Sequence, residues 1–477
     1  MRTTNEQEHN PEGILGLPWN RVIVYLIIWL GLFALGGLFV QNPAWIEPSA
    51  AVEPILSNAM YFHGLLVGLA ALVCLVAAQA LGVHSIKVKR FLTWSVVGAT
   101  VLACIGGIFD RGGPTNPFWV ILHIGGFFLL DATFIVLAVG LIGNLNSDHD
   151  REKRLPLWSA ILTTISLELA ALMGHLAGWI IEFGNYPTIL GGWAEFVGEN
   201  LSTFQANLVT SHSHEIVIAL LALLAISAAW RFGYAKLKGT SRTLSRIGML
   251  LVTGGVVIMT VIYVVGGLTS LEPPTLFVFG SGGVNGIAGD DLVTGVGVML
   301  GGLLLLASTI AAWPRRSTMG KIASKKESGS RPALLFVVWA WLVIVIAVVG
   351  AGYYIELNET FFGAGNTGAP GALSDAVFTF VHQDFAFFLI PSLITLLLLA
   401  DLTLDRGVVQ AVARWFGIGT AVSLIGMFVY VFVLPNQIHG PGYLIMMLGF
   451  AVISVGIIKL LIALWRVSST RRDIKST

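Results

Sequence analysis

The chain has 477 residues, of which 56% are hydrophobic and only 11% charged, with 55 glycines and a mean hydropathy of +0.83. Soluble domains carry about 25% charged residues, so an ordinary water-soluble enzyme and a disordered protein are both excluded. A net charge of +1 provides no basic field for a polyanion, which excludes a nucleic-acid binder. Both cysteines, Cys74 and Cys104, lie inside apolar runs, which argues against a disulfide framework or a thiolate metal cage.

The first twenty residues are polar and partly acidic, and residues 1–20 read as a cytoplasmic N-terminal segment. The run that follows from Arg21 is too long for the apolar core of a cleaved signal. A helix needs about 20 apolar residues to cross the hydrocarbon. Twelve runs qualify, at about 21–40, 58–82, 90–109, 117–144, 156–182, 205–231, 243–268, 289–313, 332–357, 374–402, 408–434 and 440–466. None alternates polar and apolar residues as a barrel strand would. The expected fold is therefore all-α: a twelve-helix transmembrane domain over 21–466, followed by a cytoplasmic C-terminal tail, 467–477.

The loops sort by charge. Odd-numbered loops hold acids: Glu47 and Glu53; Glu195 and Glu199; Glu272, Asp290 and Asp291; Glu356 and Glu359. Even-numbered loops and the C-terminus hold bases, among them Lys87, Lys89 and Arg90; Arg151, Lys153 and Arg154; Lys236, Lys238 and Arg242; Arg315 to Lys326; Arg466, Arg471 and Arg472. Basic loops stay in the cytoplasm, which predicts both termini inside and a multi-pass protein of the cell membrane. The basic, Ser- and Gly-containing loop 314–331 is the best candidate for an inner linker.

Of the ten histidines, His9, His84 and His149 fall on the cytoplasmic side. His63, His123, His212, His214 and His382 lie near the starts of spans 2, 4, 6 and 10, His175 lies near the outer end of span 5, and His439 sits in the last outer loop. At about 1.5 Å per residue, the six within spans sit roughly 7–14 Å below the outer surface. Intramembrane ionisable groups are functional by default. For His123 and His175, bonding to a neighbouring helix weighs as much as ligation; for His439, beside Gly440 and Pro441, loop packing outweighs it.

Three of these histidine sites repeat. Tyr61-Phe62-His63-Gly64, Ser211-His212-Ser213-His214-Glu215 and Val381-His382-Gln383-Asp384 open spans 2, 6 and 10. A period of four spans predicts pseudo-threefold arcs with these helices on the inner ring. Residues i and i+2 of a helix point about 200° apart, so His212 and His214 can serve two pockets, completed by His63 and His382. Imidazoles from facing membrane helices are suited to holding haem iron, and Arg111 is the outer base best placed for haem propionates.

Twelve spans with histidines in the outer third of spans 2, 6 and 10 resemble subunit I of the haem-copper oxidase and nitric oxide reductase superfamily. The resemblance implies a respiratory oxidoreductase or electron-transfer subunit holding haem, taken as two groups of the b type. It makes His63, His212, His214 and His382 the ligand set, with Arg111 on the cofactor. It also implies membrane lipid, a quinol or an outer-face cytochrome or copper protein, and other respiratory subunits as partners. The chain departs from the family at span 7, Met249 to Gly267, which lacks the usual histidine pair of the copper site. On span 10, Asp384 or Phe380 stands where a second histidine is usual. The resemblance is to a divergent member, and copper lacks its usual site.

Buried acids complete the set. Glu168 precedes His175 by two helical turns and shares its face, Glu215 adjoins His214, and Asp131 lies nearer mid-membrane on span 4. Each carboxylate costs about 2.5–3.5 kcal/mol to insert, which points to a partner or to proton handling. An alternative reading uses the same cluster, with His123 and His175 as further metal ligands, in a divalent-metal or proton-coupled transporter.

Overall fold

A computed structural model of the chain describes Leu26 and residues 55–109, 117–147, 151–183, 188–198, 200–269, 293–311, 331–347, 381–429 and 440–475; side chains at 55–63 and 381–384 are among those not described. Every regular element among the described residues is helical. In chain order these are α1 (Ile55–Ala80), α2 (Ile86–Phe109), α3 (Pro117–Ser147), α4 (Arg151–Phe183), the short α5 (Thr188–Phe196), α6 (Leu201–Arg231) and α7 (Gly239–Thr269). They continue as α8 (Val293–Leu300 running into Gly301–Ala311), α9 (Arg331–Val345), α10 (Val381–Leu389 running into Ile390–Thr403), α11 (Arg406–Phe428) and α12 (Gly440–Lys475).

Among the described residues, eight helices are long and apolar enough to cross a membrane: α2, α3, α4, α6, α7, α10 over Phe385–Thr403, α11 and α12. Shorter apolar helices, Gly64–Ala80, Gly297–Ala311 and Arg331–Val345, account for three more of the expected spans. The chain is a multi-pass membrane protein built as a helical bundle. The run at 21–40 lies outside the described residues except for Leu26, and so does the linker 314–331 except for Arg331. α12 runs to Lys475, beyond the predicted end of its span. α5, nine residues inside a predicted loop, was not foreseen.

Burial sorts the helices into two layers. In α10 89% of the spanning window is buried, and in α6 78%, against 33–44% in α2, α3, α7, α11 and α12. From Gly64 to Ala78 only Leu66 of α1 is not buried. These three helices touch one another, while α2, α3, α4, α7, α8, α9 and α11 pack around them. Outer helices present an apolar stripe at helical spacing: Ile121, Phe128, Ile135, Val139 and Ile142 on α3 are all exposed. That is the face a lipid-contacting helix needs.

Local chemistry explains the irregular helices. The first nine residues of α10, Val381–Leu389, are π-helical, and Pro391 is the second residue after them. Proline has no N–H and its ring collides with the carbonyl four residues back, so a wider turn ahead of it relieves the clash. His382 lies on that π-helical turn. α8 also opens as a π-helix, against α7, where a Cβ added to Gly255 would sit 3.0 Å from the Gly297 Cα. Only paired glycines allow so close an approach.

Polar pins are few. Arg231, in the last turn of α6, donates from Nε to Asp401 Oδ2 and from a terminal nitrogen to the Asp401 carbonyl, both at 2.8 Å. This ties the C-terminal ends of α6 and α10 together and satisfies a carbonyl that the end of α10 would leave open. The hydroxyls of Thr253 and Thr260 of α7 pair with those of Ser159 and Ser166 of α4 at 2.7 Å each. The two bonds, seven residues apart on both helices, form a short hydroxyl ladder.

Candidate functional site

The histidine-bearing half of the bundle contains a wedge of ionisable side chains where α3, α4 and α6 meet. α3 and α4 are consecutive helices that pack against each other. Asp131 of α3 meets His175 of α4: its Oδ2 lies 2.6 Å from His175 Nε2. The sequence reading places Asp131 nearer mid-membrane on its span and gives it no histidine partner; the packing of α3 on α4 supplies one. Asp131 Oδ1 is buried and has no hydrogen-bond partner among the described residues.

Glu168 lies two turns along α4 from His175, within electrostatic reach of both Asp131 and His175. Its Oε2 is buried without a hydrogen-bond partner among the described residues. The shared face read from the seven-residue spacing therefore holds, and α3 supplies the direct partner that the spacing did not reveal.

His212 approaches the same wedge from α6. Its Nδ1 lies 2.7 Å from the Ala170 carbonyl of α4. A carbonyl only accepts, so Nδ1 carries the hydrogen and Nε2 the lone pair. The ring rests on Gly174, where an added Cβ would lie 2.5 Å from the imidazole. Glycine at 174 is thus what seats the ring. His212 is also within electrostatic reach of His175 and Asp131.

His214 turns the other way, as its two-residue offset predicts. It stacks on Tyr263 of α7, with centroids 6.0 Å apart and rings inclined by 27°. Glu215 is 1% exposed and lies against Thr260, whose hydroxyl hydrogen is directed to Ser166 or to its own helix. Neither carboxyl oxygen of Glu215 has a donor in good geometry among the described residues. His123 is buried on α3 with its ring 4.5 Å from that of Phe127, and Phe127 in turn meets the edge of His175.

The remaining expected residues divide by what is described. His63 lies on α1 and His382 on the π-helical turn of α10, with their side chains and that of Asp384 outside the described set. Arg111 and His439 lie outside the described residues altogether. Among the described residues, no three His, Cys, Asp or Glu side chains converge as a metal-ligand set. The Arg231–Asp401 pair was not anticipated, although an Arg and an Asp at equivalent ends of two inner spans were a readable signal. No family model, no curated protein and no solved structure matches the chain.

Proposed function

We propose that this protein is a haem-bearing electron-transfer subunit or oxidoreductase of the cell membrane, with cofactor ligated by histidines of α1, α6 and α10. The observation that carries the reading is the mutual contact of these three buried helices. His63, His212 and His382 stand about 17 to 21 residues before Ala80, Arg231 and Thr403, a spread of only about 6 Å along the helix axes. The three histidine-bearing turns stand at similar distances from these helix ends, in keeping with pseudo-threefold arcs, while on α6 the ring of His212 faces α4 and that of His214 faces α7.

The described donors suit haem. An imidazole whose Nδ1–H is held by a backbone carbonyl has its tautomer and ring plane set for ligation through Nε2, which is the state of His212. His63, His212, His214 and His382 would hold the group, with Arg111 at the propionates, and haem would supply one-electron chemistry. His175 leaves the ligand set because Asp131 engages its Nε2, and His123 joins the packing around Phe127. The chain's own residues keep water out, with Phe385 and Leu65 among the fully buried ones. Glu168, Glu215 and Asp131 stand ready to exchange protons. The loop charges place the histidine half outside and both termini in the cytoplasm.

The visible spectrum of detergent-purified protein, oxidised and reduced, with extracted haem quantified, tests this. A reducible haem band is expected, and His212→Ala and His214→Ala should each lose about half of the haem. A colourless protein carrying a divalent metal would replace this reading with the transporter. The acid–histidine wedge, with Asp131 bonded to His175 and His212 seated beside them, favours the proton-coupled form of that second reading.

A further inference from the structure

Glu215 is the most deeply buried acid among the described residues, at 1% exposed. Neither of its oxygens has a hydrogen-bond partner there. Its neighbours are hydroxyls, where α4, α6 and α7 pack together. Thr260 of α7 lies against it, and Thr260 Oγ1 sits 2.7 Å from Ser166 Oγ of α4. Each hydroxyl has one hydrogen. That of Thr260 goes to Ser166 or to the Val256 carbonyl, and that of Ser166 to Thr260 or to the Leu162 carbonyl. None is left for Glu215, so oxygen lone pairs gather at this corner without a donor.

The missing complement is positive, and the contacts separate the candidates. A proton would make one carboxyl oxygen a donor, yet neither oxygen reaches an acceptor in hydrogen-bond geometry among the described residues. Oxygens that share a cation of the size of sodium or calcium lie about 2.3–2.6 Å from it and so stand about 3.4 Å apart at right angles, beyond an O–H···O bond. Contact without a hydrogen bond is the spacing such an ion gives. Charge then sets the valence. Glu215 makes no ion pair among the described residues; the two pairs there are Asp131–His175 and Arg231–Asp401. Glu168 is two residues from Ser166, about 200° round α4, and is directed to Asp131 and His175 instead. One carboxylate balances one positive charge, and a divalent ion would leave net charge buried in hydrocarbon. Carboxylate and hydroxyl oxygens are hard donors, which suit an alkali cation rather than a transition metal.

We propose that Glu215, Thr260 and Ser166 form a binding site for one sodium ion, held by the carboxylate and the Thr260 hydroxyl with Ser166 Oγ beside them. The smaller alkali ion suits hydroxyl oxygens only 2.7 Å apart. Sodium and a proton are alternatives on this one carboxylate. The site stands apart from the haem ligands: the neighbouring His214 turns its ring to Tyr263, and sodium binding does not require haem.

The test uses the full chain, purified in detergent and exchanged into choline chloride, with radioactive sodium bound at equilibrium and counted after rapid filtration. One saturable site per chain is expected, displaced by unlabelled sodium but not by equal concentrations of potassium or calcium. Glu215→Gln should abolish it. Thr260→Val, which keeps the shape and removes the hydroxyl, should weaken binding about tenfold, and Thr260→Ser should stay within about threefold. Ser423→Ala, which removes a buried hydroxyl of α11, should bind as the parent does. If Glu215→Gln fails to fold, Thr260→Val and the ion selectivity of the parent decide the matter. Absence of saturable sodium binding by the parent overturns the proposal, as does parent-like binding by Glu215→Gln or Thr260→Val. So does displacement by equal calcium, which would assign the corner to a divalent ion.

Discussion

Two helix seams of this bundle solve the same packing problem by different means. Between α11 and α12 the contact is made by small residues: Gly419 and Gly426 face Gly449, Ile453 and the backbone of Met446, and Gly449 faces Ser423. The seven-residue spacing of these glycines keeps them on one stripe of each helix. Buried polar groups there are hydroxyls such as Thr420, which bonds the Phe416 carbonyl of its own helix at 2.9 Å. Where α3, α4 and α6 meet, Asp131, Glu168, His175 and His212 are gathered instead, with buried oxygens of Asp131 and Glu168 that have no donor among the described residues. Helix association in a membrane needs only close packing and a few hydroxyl bonds. The second seam carries ionisable groups that packing does not require, and this is the physical ground for assigning function to it.

The comparison breaks most sharply at Gly426. A Cβ there would run into the Met446 backbone and lie 2.9 Å from the Gly442 carbonyl, so no side chain can swing aside. Gly426→Leu should cost about 3 kcal/mol or more, at the upper end for overpacking. Cys74 and Cys104 are free and fully buried, so the labelling of both by a thiol-reactive dye during a thermal ramp reports unfolding directly. A large fall in midpoint is expected; an unchanged midpoint would mean the seam does not support the fold.

Asp131→Ala is expected to have an intermediate effect. It leaves the His175 Nε2–H without its acceptor in a low-dielectric setting, at about 1–3 kcal/mol. Removing both partners, in Asp131→Ala with His175→Phe, should restore much of the loss, since no polar group is then stranded. The same thiol assay reads it. A double variant no better than the single would show that the pair is not coupled.

Much of the fold is legible in sequence because hydropathy acts along the chain. Eleven of the twelve predicted runs correspond to described helices, and runs of about 20 apolar residues permit little else in a bilayer. α5 was missed because nine residues cannot span and loops carry no comparable signal. The site was legible only in part. The divergence of His212 and His214 follows from helical geometry within one element, and the structure bears it out. The Asp131–His175 bond depends on the register between two helices. Counting equal distances from their shared turn near residue 150 sets Asp131 opposite residue 169, about six residues short of His175, so the pair was not readable that way. The seat of His212 on Gly174 had no sequence signal, because glycine is common in membrane helices.

Glu168 provides the finest distinction between the seams, and the sign of its effect is the test. Its Oε2 is buried without a partner among the described residues, and the Asp131 carboxyl lies within electrostatic reach of it. A group kept for stability would weaken the fold when replaced. One kept for chemistry at a structural cost should do the reverse. Glu168→Gln preserves shape and removes the charge, so the midpoint should rise, by about 1 kcal/mol of stability, the smallest change of the three. Glu168→Leu should do as well or better, since an apolar side chain of similar size suits that half-buried position on α4. Should both variants instead lower the midpoint as Asp131→Ala does, Glu168 would belong to the framework, and the α3–α4–α6 seam would differ from α11–α12 only in how it is packed.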